Sequence, residues 1–173
     1  MMPARVRQRP RRGSERLWAI RGRCFAPTLI LGYGSRLRGD DAAGARVATT
    51  VARWRLPHVH ARALHQLTPD LAEPLAQVSL AIFVDARLGG GGVHLRPLCP
   101  TQSPDLCDIH TSDPALLLAL AQLLYGRAPR AWLITLPAQQ FVLGTPLSPL
   151  TRRALPVAYR RIRRLLAASY GVQ

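Results

Sequence analysis

Four residues in this chain have the type and placement to do chemistry on a carbonyl or a metal ion: the adjacent Asp40 and Asp41, then Asp85 and His110. The two neighbours stand in LILGYGSRLRGDDAAG, where an apolar run gives way to a glycine-spaced turn and then to a helical pattern. The chain carries 24 basic residues, all arginine, against only nine acidic ones. Two of the nine placed side by side therefore need a reason. One carboxylate can serve the free N–H groups and positive dipole end of a helix. Capping does not require the second. The same dipole, with Arg36 and Arg38 close in sequence, favours an ionised Asp41, the form in which a carboxylate binds metal or accepts a proton. Asp85 closes the otherwise apolar run SLAIFVD, and His110 lies in DIHTSDP just ahead of another helix. Singly, each has an ordinary explanation, as a turn-forming aspartate before Gly89–Gly92 and as a loop histidine. Taken together, two carboxylates and an imidazole suit a borderline divalent metal such as nickel or zinc.

Other chemistries fit these residues less well. After the first apolar run the chain reads Gly32-Tyr33-Gly34-Ser35-Arg36-Leu37, where a dinucleotide fingerprint would need glycine or alanine at position 37. The region after the second strand offers His65 and Gln66 in place of the acid that would hold a ribose. A phosphate-binding P-loop fails for want of any lysine. Cys99, Cys107, His94 and His110 lack the paired-cysteine spacing of a structural zinc site. No G-x-S-x-G elbow is present.

The elements that must position the four residues follow from periodicity. Pro27 to Gly32 (PTLILG), Ser79 to Asp85 (SLAIFVD) and Ala131 to Leu136 (AWLITL) are apolar runs bounded by turn residues, the pattern of strands buried on both faces. Val47, Val51 and Trp54 recur at helical spacing and predict a helix over Asp41 to Arg55. His58 to Leu64 is expected to be a second strand. Thr68-Pro69-Asp70 opens a helix with Leu71, Leu75 and Val78 inward. Val93 to Leu98 reads as an edge strand limited by Pro97, followed by a loop from Cys99 to Ser112. Asp113-Pro114 starts a leucine-rich helix that Gly126 ends, and Ser148-Pro149 starts a long helix to Ser169 with a kink expected at Pro156. Strands alternating with helices predict an α/β fold, a mainly parallel and twisted central sheet covered on both faces. Sites in such sheets form beyond the carboxyl ends of strands. Asp40, Asp41 and Asp85 fall there.

The net charge of +15 raises the question of nucleic acid, and its distribution answers it. Residues 1–25 hold eight arginines and one glutamate, residues 152–173 hold six arginines and no acid, and the body between them is nearly neutral. We read residues 1–25 as a basic, disordered arm and residues 26–173 as a single α/β domain. Arginine-rich ends would suit phosphate, but carboxylates at the edge of the site repel it. Nucleic acid is therefore the lesser alternative, beside a non-catalytic protein that binds a partner. No apolar run approaches the roughly 18 residues of a membrane span. Arg11-Arg12 is not followed by the long apolar stretch and cleavage site of an export leader. Three unpaired-looking cysteines, Cys24, Cys99 and Cys107, are compatible with a reducing compartment, and a cytoplasmic location is expected.

The stretches LILGYGSRLRGDDAAGARVA, HQLTPDLAEPLAQVSLAIFVDA, LLLALAQLLYG and TPLSPLTRRALPVAYRRI, with a histidine in the loop between the second and third, together resemble the hydrogenase maturation endopeptidases. The resemblance covers about residues 27–168. It implies a three-layer α/β/α sandwich and an endopeptidase, aspartic-type by family label, that removes a C-terminal extension from the large-subunit precursor of a nickel-iron hydrogenase after nickel insertion. The nickel would arrive with the substrate, and no nucleotide cofactor is implied. Accessory proteins of hydrogenase assembly are further implied partners. By position the resemblance makes Asp41, Asp85 and His110 the metal-contacting residues. Asp40 or Asp41 is the candidate catalytic base, and the turn Gly34-Ser35-Arg36 is the candidate substrate contact. Ser35 stands where the family turn usually has asparagine, which removes one side-chain amide.

Overall fold

The computed structural model describes residues 27–101 and 113–171. The basic arm, Cys24, Cys107, His110 and most of the loop expected from Cys99 to Ser112 lie outside the described residues. Among these residues five strands form one sheet: β1 (Thr28–Tyr33), β2 (Val59–Leu64), β3 (Leu80–Leu88), β4 (His94–Leu98) and β5 (Arg130–Ala138), in the order β2-β1-β3-β5-β4. Four of them run parallel, and β4 alone is antiparallel, on the edge beside β5. That edge is where Pro97 can sit without costing the sheet an internal hydrogen bond.

Helices cover both faces. Residues pointing one way from the sheet, Leu29, Leu31, Ala81, Phe83 and Leu133, pack with the short α2 (Ala72–Ala76) and with α3 (Pro114–Tyr125). Their alternates, Ile30, Ile82, Val84, Ile134 and Leu136, pack with α1 (Ala43–Ala52) and α4 (Pro149–Gly171). The result is a three-layer α/β/α sandwich, as the alternating pattern requires. α3 has the ends that its sequence predicts. Asp113 accepts a hydrogen bond from the Ala115 amide at 2.8 Å, and Gly126 closes the helix at φ +75°. In α4 the buried Ala154, Ala158, Ile162 and Leu166 recur every fourth residue and leave the arginines outward.

Several boundaries differ from expectation for physical reasons. A 3-10 turn, Gly39–Ala42, precedes α1, so Asp41 lies ahead of the α-helix rather than at its first position. The element opened by Pro69 is a 3-10 turn and a five-residue helix, with no cap from the Thr68 side chain. α4 runs unbroken through Pro156, an exposed residue whose missing amide falls on the wet side of the helix. β3 continues past Asp85 to Leu88 because β5 is also long enough to pair with it, as far as Ala138. Asp85 therefore sits within its strand, beyond the last position at which β3 pairs with β1, Gly32 opposite Val84.

The approach of α1 to the sheet is set by two glycines. A Cβ on Gly32 would strike the Gly44 carbonyl, and a Cβ on Gly44 would strike the carbonyls of Tyr33 and Val84. These obstacles are backbone and cannot rotate away. Gly44→Ala should lower stability by about 1–3 kcal/mol through overpacking, read as a lower urea midpoint at unchanged slope. An unchanged midpoint would show that helix and sheet can part without cost.

Candidate active site

The carboxyl end of β1 leads directly into the site. After Tyr33 the chain turns at Gly34 with φ +128°, a conformation that side chains resist. A Cβ there would strike the Asp41 backbone carbonyl and come to 3.0 Å from its Oδ1. Glycine thus lets Asp41 fold back over the turn, where its Oδ2 accepts a hydrogen bond from the Ser35 amide at 2.8 Å. That contact comes from the main chain, so serine in place of asparagine at position 35 leaves it intact. Asp41 remains partly exposed.

Asp40 turns the opposite way and is fully buried, at 0% exposure. Its Oδ2 accepts from the amides of Gln139 (2.8 Å) and Gln140 (3.3 Å), and its Oδ1 from that of Ser148 (2.6 Å). Its own amide donates to the Gln140 carbonyl at 3.2 Å. The capping expected of Asp40 does not occur: neither the 3-10 turn nor α1 has a side-chain cap. Its oxygens serve instead the loop after β5 and the entry to α4, where Ser148 in turn accepts from the Thr151 amide at 3.3 Å. Burial pushes this carboxyl upward. The amides of Ser148 and Gln139, then the Ser148 and Thr151 hydroxyls, outweigh it and hold Asp40 below the usual carboxylate range.

Asp85 has the contrary environment. Desolvation raises its pKa, and the negative charge of Asp41 raises it further, against the hydrogen bonds it accepts from its neighbour's amide, Ala86 at 2.7 Å, and from Tyr33. Asp41 and Asp85 are therefore close enough for their charges to interact. The Tyr33 phenol is held far above its ordinary range by burial, then by the Asp85 charge and hydrogen bond, with a weaker push from Asp113 at the start of α3. It stays a protonated donor to Asp85. Register extends this polar row. Asp85 is opposite Thr135, which is opposite His94, so Tyr33, Asp85, Thr135 and His94 follow one another across the sheet on the α3 side. Sequence reasoning passed over Tyr33. Its signal was parity, since it precedes the turn on the same face as Leu29 and Leu31.

Among the described residues, no three His, Cys, Asp or Glu side chains gather closely enough to hold a metal ion. The charges of Asp41 and Asp85 interact, whereas His110, like Cys107, lies outside the described residues. Cys99 and His94 are both exposed. Arg36 reaches away from the carboxylates and donates from Nη2 to Thr49 Oγ1 at 3.0 Å, on α1.

Two predictions separate the adjacent roles. Asp40→Asn turns an amide NH2 toward backbone donors and should cost on the order of 3 kcal/mol, measured by urea unfolding at neutral pH. Wild-type stability there would remove Asp40 as an anchor. Asp85 behaves oppositely. A carboxyl whose folded pKa is raised above its unfolded value gains its proton more readily in the folded chain, so its contribution is largest in acid. That contribution is lost as pH rises through the folded value. Asp85→Asn should therefore be more stable than the parent at neutral pH, with the gap closing as pH falls toward about 4. A gap independent of pH would mean that ionisation of Asp85 carries no strain.

No protein-family model matches the chain, and no curated protein matches it. Solved structures do match. A [NiFe] hydrogenase maturation protease, HycI from Thermococcus kodakarensis KOD1, aligns at TM-score 0.64 with 21% identity, over 82% of this chain and 93% of its own. The hydrogenase maturating endopeptidase HybD from E. coli aligns at TM-score 0.62 with 17% identity, again over 82% and 93%. A hydrogenase 2 maturation peptidase from Thaumarchaeota archaeon SCGC_AB-539-E09 aligns at 0.58 with 22% identity, over 80% and 97%. The chain has the fold of the hydrogenase maturation proteases.

Proposed function

We propose that this chain is a hydrogenase maturation endopeptidase. It removes the C-terminal extension of a nickel-iron hydrogenase large-subunit precursor once nickel has been inserted. The observation that carries the reading is the convergence of Asp41 and Asp85 beyond the paired ends of β1 and β3, in the fold shared with proteases of that name. The catalytic domain is residues 26–173, with the basic arm as an appendage, and the cytoplasm, where a precursor would be assembled, is its place of action. Accessory proteins of hydrogenase assembly remain candidate partners.

Asp41, Asp85 and His110 present two carboxylates and an imidazole to the nickel held in the substrate, a donor set suited to a borderline divalent ion. Tyr33 donates to Asp85 and helps to hold its carboxyl in place. Between the paired aspartates the roles divide. Asp40 has its oxygens occupied by three amides and no solvent exposure, so it supports the loop rather than activating water. Asp41, partly exposed and held by one amide, is the candidate to accept a proton from the attacking water. The turn Gly34-Ser35-Arg36 follows β1 beside Asp41, which accepts from the Ser35 amide, and its backbone is the proposed contact for the substrate chain, the Arg36 side chain being turned to Thr49.

The test is a processing assay with the full-length chain, a nickel-loaded precursor and its nickel-free form, the C-terminus being read by mass spectrometry. Loss of the extension is expected only from the loaded precursor. Asp41→Ala, Asp85→Ala and His110→Ala should each reduce processing by at least about 10²-fold while circular dichroism shows a folded chain. Normal cutting by all three variants would sink the assignment. Equal cutting of both precursor forms would sink the nickel check alone.

A further inference from the structure

On the outer side of α1, away from Asp85, lies an open cleft of about 450 Å³ between that helix and the chain leading into α4. Its floor and walls include Arg36, Arg46 and Arg53, with Thr49, Thr145 and Leu147. All three arginines are exposed. The chain has little with which to neutralise them, because residues 42–69 and 114–173 contain no acidic residue. Asp40, next to Gly39 of the cleft, is buried and engaged by amides, and the partly exposed Asp41, next to Ala42 of the cleft, has its Oδ2 on the Ser35 amide. The threonine hydroxyls are occupied as well. Thr49 Oγ1 donates to the Ala45 carbonyl at 2.8 Å, and Thr145 Oγ1 donates to that of Val142 at 2.8 Å. What the cleft offers a ligand is guanidinium.

Its rim is apolar. Leu37, Val142 and Leu143 are 69%, 53% and 68% exposed. They stand on two loops tied by a hydrogen bond from the Gly144 amide to the Leu37 carbonyl at 2.8 Å. Gly39 meets the same loop, since a Cβ on it would come to 2.5 Å from Thr145 Oγ1. Large apolar side chains kept exposed beside a cationic cleft mark a contact surface. A sugar-phosphate backbone has no use for them. Stacking of bases would need an aromatic face, and Trp54, at the end of α1, is already covered by Tyr159 edge-on and by Arg163 at 4.7 Å.

We infer that this cleft is a docking site for a short acidic segment of a partner protein, with carboxylates on Arg36, Arg46 and Arg53 and apolar side chains on the Leu37–Leu143 rim. Guanidinium and carboxylate form paired, charge-assisted hydrogen bonds. The volume falls within the ~300–1,000 Å³ of small-ligand clefts, which suits a peptide segment rather than a folded surface. The inference concerns binding and stands apart from the cleavage reading.

The experiment uses the full-length chain and fluorescence anisotropy with a labelled synthetic peptide of mixed glutamate and leucine. The wild type should bind it, and Arg46→Glu with Arg53→Glu should weaken binding by about tenfold or more. Val142→Ser with Leu143→Ser should weaken it several-fold. The control makes the same charge change elsewhere: Arg160→Glu with Arg164→Glu, exposed on α4 outside the cleft, should alter affinity by less than about twofold. All variants keep the eight arginines of residues 1–25, so the arm contributes equally to each. Thermal melts check folding, and Arg46→Gln with Arg53→Gln replaces the reversal if it fails to fold. Three results would each overturn the inference: no binding by the wild type, an equal loss in the α4 control, or tighter cleft-dependent binding of a duplex DNA of matched charge.

Discussion

One buried carboxylate holds the functional end of this molecule together. Asp40 draws the amides of Gln139, Gln140 and Ser148 onto its two oxygens, and its own amide returns a bond to Gln140. These contacts join chain segments about a hundred residues apart. They link the turn after β1 to the loop after β5 and to the first turn of α4. An ionised carboxylate out of water is tolerable only when its lone pairs are taken, and here backbone donors take them. Asp41 inherits its position from this arrangement. With Asp40 fixed inward, the 3-10 turn has one way to face, and the next carboxylate lies over Gly34 and the Ser35 amide.

The two aspartates at the edge of the site illustrate the opposite use of the same side chain. Asp40 gains from its surroundings and is held ionised, whereas Asp85 is desolvated, faces the charge of Asp41 and has its pKa raised. Strain of this second kind is what sites carry and structural anchors avoid. Tyr33 moderates it by donating to Asp85, at the cost of its own acidity. The close contact of Gly32 and Gly44 belongs to the same design. It brings α1 down on β1 and β3 so that the turn carrying Asp41 cannot drift from the strand carrying Asp85.

How far this was legible from sequence depends on the range of the interaction. The apolar runs PTLILG, SLAIFVD and AWLITL announced the three central strands because a strand buried on both faces must be apolar throughout. Asp113 and Gly126 announced the ends of α3 because caps are chosen by residues within a turn of one another. The placing of Asp41 just after β1 followed from a rule about strand ends. The partners of Asp40 could not be found this way. Nothing local distinguishes a carboxylate that caps its own helix from one that reaches Ser148, 108 residues on. Asp85 misled for a related reason: its strand runs on to Leu88 because β5 is there to pair with it. Tyr33 hid among its apolar neighbours, its hydroxyl meaningful only once β3 was known to lie alongside.

Charge, finally, is distributed by layer and not only by chain end. α1 and α4 carry Arg46 and six arginines from Arg152 to Arg164 without a single acid, while Asp70, Glu73 and Asp113 belong to the α2 and α3 side. Opposite charges segregated to opposite faces do little for stability, since exposed pairs contribute little. They do orient an approaching partner, because complementary fields act before contact. An acidic segment drawn to the α1 and α4 face meets the loops clamped by Asp40, and those same loops lead to Asp41. The loops that Asp40 clamps thus border both the cleft and the turn that carries Asp41.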